Sequence, residues 1–304
     1  MNSPYNKNNA ETQLPRRRLT VELIQGPQYI NGSWQGKPET VARLEGIQAE
    51  FRITKISDCV QANASIRIAN LTKEHIQLFT TFCPEHQARL QGRRLRLYAG
   101  FEGKDYCLMY EGDIVQALPT MPPDIFLECE CISGYYENFT LRTFSIKNEL
   151  ATYKDIAELA AAAFKTPLDF RAKNLDRTFR NFYFEGNLTQ FIDKYNELGS
   201  ATAWYDYGNL IVDDFTPPTG EPAATVDMRS GLVGTVRPTP TGISFTTVLM
   251  PQFQLGQSIK VISSLIPNAS GIYRPHTLVH RGNLRGDEWF TDFTAYGNNY
   301  AKGK

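Results

Sequence analysis

The chain has 304 residues, of which 41% are hydrophobic and 12% aromatic, and its 32 Lys plus Arg balance its 32 Asp plus Glu. That length predicts two or three domains, and that apolar content excludes global disorder. Zero net charge argues against a protein that works by neutralising phosphates, which would be basic overall, although a balanced sum is compatible with a local basic patch.

Residues 1–18 are polar, without the apolar core of a secretory signal, and predict a flexible N-terminal arm. The run Arg16-Arg17-Arg18 offers contact to an acidic partner, against the plainer reading of a solvated tail that packs only on assembly. No apolar run approaches the roughly 18 residues of a membrane span, so a soluble protein made in a reducing cytosol is expected. The five cysteines (Cys59, Cys83, Cys107, Cys129 and Cys131) are odd in number and include no C-x-x-C pair. Cys129 and Cys131 share one face of a strand-like run and read as buried reduced thiols, not as zinc ligands or a disulfide framework.

From residue 19 to about 138 the pattern is β. Leu19 to Ile24, Phe51 to Ile53 and Ala64 to Ile68 alternate at period two. Thr72 is placed to cap a short helix from Lys73 to Phe82. Leu95, Leu97 and Ala99 form the apolar side of a strand whose polar side is Arg94, Arg96 and Tyr98. Gly103 turns the chain into a partner strand from Tyr106, and Phe126 to Ile132 is a further strand. Strands at this spacing with glycine turns predict a barrel or sandwich.

From 139 to 214 the character changes to a small α/β domain, a possible internal duplication. At an offset of 38 residues, Phe144, Ile146, Leu150 and Asp155 lie over Phe182, Phe184, Leu188 and Asp193. Each copy reads strand, turn, helix. Thr152 and Asp155 have capping-box spacing, Gly199 sits where a helix ends, and Trp204 to Val212 is a hairpin with a Gly-Asn turn.

Phe215 to Pro222 is a linker by composition, and 215–304 is β again. Gly234 to Ser244, carrying Pro238 and Pro240, reads as an exposed loop or arm suited to contacts between subunits. Leu249 to Gly297 reads as a β-meander. Gly92, Leu95 and Leu97 resemble Gly256, Ile259 and Val261, and Glu111-Gly112-Asp113 resembles Arg281-Gly282-Asn283. The chain thus predicts a mainly β fold, with two related β-barrel domains flanking a small α/β domain.

No catalytic, cofactor or metal site emerges. His276 and His280 lie on a strand, on one face about 13 Å apart, too far to share an ion. His75 and His86 flank a helical segment as surface residues. Asp213-Asp214 reads as the solvated end of a linker, with a glycosidase pair as the weak alternative. Arg93, Arg94, Arg96 and Tyr98 allow a nucleic-acid stripe, but the plainer reading pairs the arginines with acids on neighbouring strands such as Glu111 or Asp113.

The order of these pieces resembles the bacteriophage baseplate hub family and the hubs of contractile injection systems. Ala62 to Thr72, then Tyr98 to Gly103, then Tyr110 to Ile114 resemble the family's N-terminal barrel. Gly271 to Arg274, Val279 to Asn283 and Trp289 to Thr291 resemble the end of its second barrel. Phe182 to Leu198 and Trp204 to Val212 fit its inserted domain. The resemblance implies two tube-like barrels per chain (19–138 and 215–304) and a homotrimer that adapts a hexameric tail tube to a trimeric central spike beside other baseplate proteins. It also implies a lumen that DNA crosses transiently, no enzymatic activity, and a place in the virion after assembly in the host cytoplasm. A weakly charged or acidic wall would let DNA slide. A tail-associated peptidoglycan hydrolase is the alternative, and a nucleic-acid-binding module a third.

Overall fold

The computed structural model describes residues 16–30, 33–35, 37–57, 61–81, 91–173, 175–214 and 222–296. Its first part comprises β1 (Arg17–Ile30), β2 (Ser33–Gln35), β3 (Glu39–Glu45), β4 (Ala49–Ile56), β5 (Asn63–Ala69), helix α1 (Lys73–Phe79), β6 (Gln91–Phe101), β7 (Lys104–Pro119) and β8 (Phe126–Ile132). The middle part holds β9 (Arg142–Thr152), α2 (Tyr153–Phe164), β10 (Leu168–Phe170), β11 (Thr178–Gly186), α3 (Leu188–Glu197), β12 (Thr202–Asp206) and β13 (Asn209–Asp213). The last part holds β14 (Ala224–Val226), β15 (Leu232–Thr239), β16 (Gly242–Val248), β17 (Ile259–Val261), β18 (Gly271–Tyr273), β19 (Pro275–Asn283) and β20 (Trp289–Tyr296). The fold is mainly β with an α/β insertion.

Strands of the first and last parts share one sheet, in the order β15-β16-β20-β19-β4-β5-β8-β7-β6-β1. Within it a four-strand motif occurs twice. In the first copy the hairpin β4–β5 pairs through β5 with β8, and β8 pairs with β7. In the second, the hairpin β15–β16 pairs through β16 with β20, and β20 pairs with β19. The likeness extends further. β7 is one long strand whose first half pairs with β6, while β18 and β19 are nearly continuous and β18 pairs with β17. Leu95 and Leu97 on β6 therefore do correspond to Ile259 and Val261 on β17. Gly112 and Gly282 do not correspond, because Gly112 lies before the β7–β8 ladder and Gly282 at its counterpart's far end.

One face of this sheet is apolar. Leu95, Leu97, Ile66, Ile68, Cys129 and Cys131 enter a core with Leu19, Val21 and Phe79, while Ile243, Phe245, Leu278 and Phe293 enter another with Ile259 and Val261. The period-two signal exists because alternate residues face these cores. Burial pushes the Cys129 thiol up to about 12 and the Cys131 thiol up as well, as expected of inert buried cysteines. Cys59 and Cys83 lie outside the described residues.

The closing segment is not a single meander. β17 pairs with β14 on one side and β18 on the other in a separate small sheet, and only β19 and β20 join the large one. The proline-bearing stretch is not a loop either. It runs from the outermost strand β15 through a turn at Pro240 into β16; on β15 Pro238 needs no partner for its missing N–H and Gly234 (φ 72°) sits at a register shift, both features suited to an edge. Helix α1 ends at Phe79 rather than residue 82, and Thr72 caps it by accepting from His75 N at 3.2 Å.

The middle unit repeats strand–helix, but at an offset of 35 rather than 38. Thr152 and Asn187 are the two N-caps, each in a capping box. The buried rows Tyr153, Ile156, Ala157, Ala160 and Leu188, Phe191, Ile192, Tyr195 then coincide. The offset of 38 overlays the phenylalanines but sets exposed Leu150 on buried Leu188. Gly199 takes φ 90° after α3, as a helix end requires. The β12–β13 turn is Tyr207-Gly208, one residue earlier than Gly-Asn, with both φ positive.

β12 and β13 are buried on both faces, so they carry no alternation. Ala203, Tyr205, Leu210 and Val212 face the helices, while Trp204 and Ile211 face the core of the last part. Tyr205 also packs against Gly134, where a Cβ would lie 2.5 Å from its ring and φ is +71°. Gly134→Ala is expected to cost about 2–4 kcal/mol, from overpacking and left-handed strain together, measured by urea unfolding.

Candidate interaction surface

The second face of the large sheet is open. It presents Glu50, Arg52 and Thr54 from β4, Ser65 and Arg67 from β5, and Glu128 and Glu130 from β8, since these alternate with the core-facing residues. β19 adds Thr277, Val279, Arg281 and Asn283, and β20 adds Phe290, Asp292 and Thr294. Arg67 holds Glu50 and Glu128, each at 2.9 Å. Arg281 holds Asp292 and Glu288, each at 2.8 Å. Ser65 donates to Glu130 at 2.8 Å and Thr246 to Asp292 at 2.6 Å. Arg67 and Arg281 are thus each bound to two carboxylates, and the acids on these strands outnumber the arginines.

The two four-strand motifs meet at β19 and β4, which pair antiparallel from Thr277↔Ile56 to Asn283↔Glu50. Asn283 Nδ2 donates to Glu50 Oε1 across this joint at 2.9 Å. Behind the joint lies a buried polar cluster. Lys55 is in phase with Phe51 and Ile53, and therefore points inward, where its ammonium meets Asp206 Oδ2 at 2.7 Å. Both side chains are nearly inaccessible (1% and 4%). Tyr207 lays its ring 3.9 Å from the ammonium and donates its hydroxyl to Met109 O on β7. That contact accounts for a bulky residue at φ 51°. Burial lowers the Lys55 pKa, but Asp206 and Tyr207 more than offset it, so the net shift is upward. The tip of the β12–β13 hairpin is thereby fixed to both strands flanking the joint.

His280 is fully buried next to this cluster, its Nδ1 2.9 Å from Thr291 Oγ1. Burial, with Lys55 nearby and against the opposing pull of Asp292, pushes its pKa down to about 3. The imidazole is neutral in the fold, whereas the unfolded chain takes up a proton below about 6.5. Stability is therefore present at neutral pH and lost as pH falls from about 6.5 toward 3. At pH 5 the loss is expected to be about 2 kcal/mol relative to pH 7.5, read from urea midpoints, and His280→Leu should flatten that slope.

The residues singled out in the sequence fall into structural places. Arg94 pairs with Asp113 at 2.7 Å and Arg96 with Glu111 at 2.9 Å, on the neighbouring strand as the plainer reading expects, and Arg94 also meets Glu137 of the short 3-10 turn Tyr136–Phe139 at 3.2 Å. Arg93 is buried, donating to Thr80 O at 3.2 Å. Asp213 and Asp214 are not a solvated linker end. Asp213 is fully buried and bound by Arg274 at 2.6 Å, and Asp214 accepts from Lys173 N at 2.9 Å. His276 and His280 do not share a face, because a bulge between Pro275 and Thr277 shifts the alternation and stacks His276 on Tyr296 at 4.0 Å. His86 and most of the linker, residues 215–221, lie outside the described residues.

The first strand begins inside the stretch expected to be an arm. Arg17 and Arg18 already belong to β1, where Arg17 donates to Asn283 O at 3.1 Å and Arg18 sits 4.4 Å over the Tyr106 ring. Residues 1–15 lie outside the described residues. Among the described residues no cluster of His, Cys, Asp and Glu suits a metal, and no helix is long and apolar enough to cross a membrane.

This fold is similar to that of solved phage tail and type VI secretion proteins. The prophage MuSo2 43 kDa tail protein from Shewanella oneidensis is similar at TM-score 0.60 and 9% identity, over 91% of this chain and 97% of its own. A tail protein from Neisseria meningitidis MC58 matches at 0.60 and 10%, over 93% and 98%. The E. coli c3393 protein, a type VI secretion component described as similar to T4 tail proteins gp27 and gp5, matches at 0.58 and 12%, over 85% and 75%. No curated protein sequence matches the chain. The sequence profile of the family Baseplate hub gp41 matches residues 33–292, and the chain belongs to that family.

Proposed function

We propose that three copies of this chain close into a ring, a symmetry adapter that joins a hexameric tail tube to a trimeric central spike in the virion baseplate, without enzymatic activity. The observation that carries this reading is the β19–β4 joint. It joins two motifs of the same strand order edge to edge inside one chain. The same joint between chains would pair β15 of one copy with β7 of the next, beyond Asp113 where β6 no longer covers it. A heterologous contact of this kind closes only when the rotation fits, and three chains with two motifs each present six similar elements to the tube. Closure also removes the free sheet edges.

In this ring the open sheet face lines a lumen through which DNA passes. Arginines already held by carboxylates release few counterions to a phosphate backbone. DNA retention by the assembled ring is expected to be negligible at roughly 150 mM salt in a filter-binding assay. Tight retention at that salt favours a nucleic-acid-binding module instead. Native mass spectrometry with and without a tube protein tests the oligomer, the expected species being three times 34.4 kDa. A zymogram separates the hydrolase alternative: clearing that disappears on substituting one acid removes the purely structural role.

A further inference from the structure

The two motifs differ at one edge. The outer side of β19 is filled by β4 along its length from Thr277 to Asn283. The corresponding side of β7, from Ile114 to Pro119, is met by the chain leaving α1. Thr81 N donates to Ala117 O at 2.8 Å, and Ala117 N donates to Thr81 Oγ1 at 3.0 Å. Thr80 just before it caps α1, its N–H and hydroxyl both donating to Ile76 O, while Arg93 donates to the Thr80 carbonyl. Thr81 therefore imitates one rung of a β-ladder, using backbone for one bond and its hydroxyl for the other.

We infer that Thr81 is an edge guard, occupying in the lone chain the Ala117 groups that β15 of a second copy takes in the ring. This rests on the ring reading above. A strand edge with free N–H and C=O groups invites uncontrolled pairing. Among the described residues one rung, half backbone and half hydroxyl, satisfies Ala117, and one rung is weak enough to be displaced by a whole strand. The opposing edge is blunted differently, by Pro238 and the bulge at Gly234 on β15. Each edge is thus protected by a device that still permits a designated partner.

Hydrogen exchange on the wild-type chain, as monomer and as trimer, tests this together with Thr81→Ala. In the monomer both the Thr81 and Ala117 amides should be protected. In the trimer Ala117 stays protected, while Thr81 exchanges roughly 10- to 100-fold faster. Thr81→Ala removes the hydroxyl acceptor and should raise trimer association by roughly 5-fold per seam, on the order of 100-fold for three. A trimer in which Thr81 keeps its protection, or a Thr81→Ala variant that associates no better, overturns the guard and leaves the ring standing. Failure of both proteins to trimerise at any concentration, with or without a tube protein, overturns guard and ring together.

Discussion

Replacing Lys55 with methionine lowers the stability of the chain by about 3–5 kcal/mol, because Asp206 is left charged and buried without its partner. The corresponding fall in thermal midpoint is roughly 10 °C, read by calorimetry or intrinsic fluorescence. The double variant Lys55→Met/Asp206→Leu should recover most of that loss, since two apolar groups of similar volume replace a pair whose desolvation nearly cancels its attraction. Equal instability of single and double variants would show that shape, not charge, holds the hairpin tip. The position matters because Lys55 sits at the joint, directly across from Leu278 of β19. Tyr207 carries the same contact over to β7. Loosening it is expected to free the α/β unit before it unfolds either core.

The second large effect concerns assembly rather than folding. Val233 and Thr235 are exposed on the outermost strand. The double variant Val233→Lys/Thr235→Lys should change the stability of the monomer by less than about 1 kcal/mol, as surface substitutions usually do. In the ring it places lysines on an edge that must accept a neighbouring strand, the device natural sheets use to refuse pairing. Trimer association is expected to fall on the order of 100-fold or more, with three seams affected at once, as read by sedimentation velocity. Unchanged association would mean that β15 is not a seam strand.

Much of the fold was legible because alternation reports one-sided burial. The rows Leu95-Leu97-Ala99 and Cys129-Cys131 are visible at period two and enter the core. β12 and β13 were legible only as a hairpin, since strands buried on both faces have no alternation to read. The separation of β17 and β18 from β19 was hidden because pairing partners of short strands are set by long-range packing, not by local pattern. The same holds for β15, whose Pro238, with Pro240 in the turn that follows, signals an edge and a loop alike.

The candidate surface was less legible than the fold. The arginine–acid pairs on β6 and β7 were readable because hairpin neighbours are close in sequence. The joint pairs residues more than two hundred positions apart, beyond any local signal. One clue was available: Lys55 stands in phase with Phe51 and Ile53, where an inward lysine demands a buried partner. Asp206 could not be matched to it from sequence, because its strand gives no facing direction.

An image reconstruction of the ring assembled on a tail tube tests the central claim most directly. The expected map holds three chains around one lumen, each β15 antiparallel to β7 of its neighbour and each seam repeating the geometry of β19 on β4. A ring of any other stoichiometry, or one in which β15 remains an open edge, would contradict it.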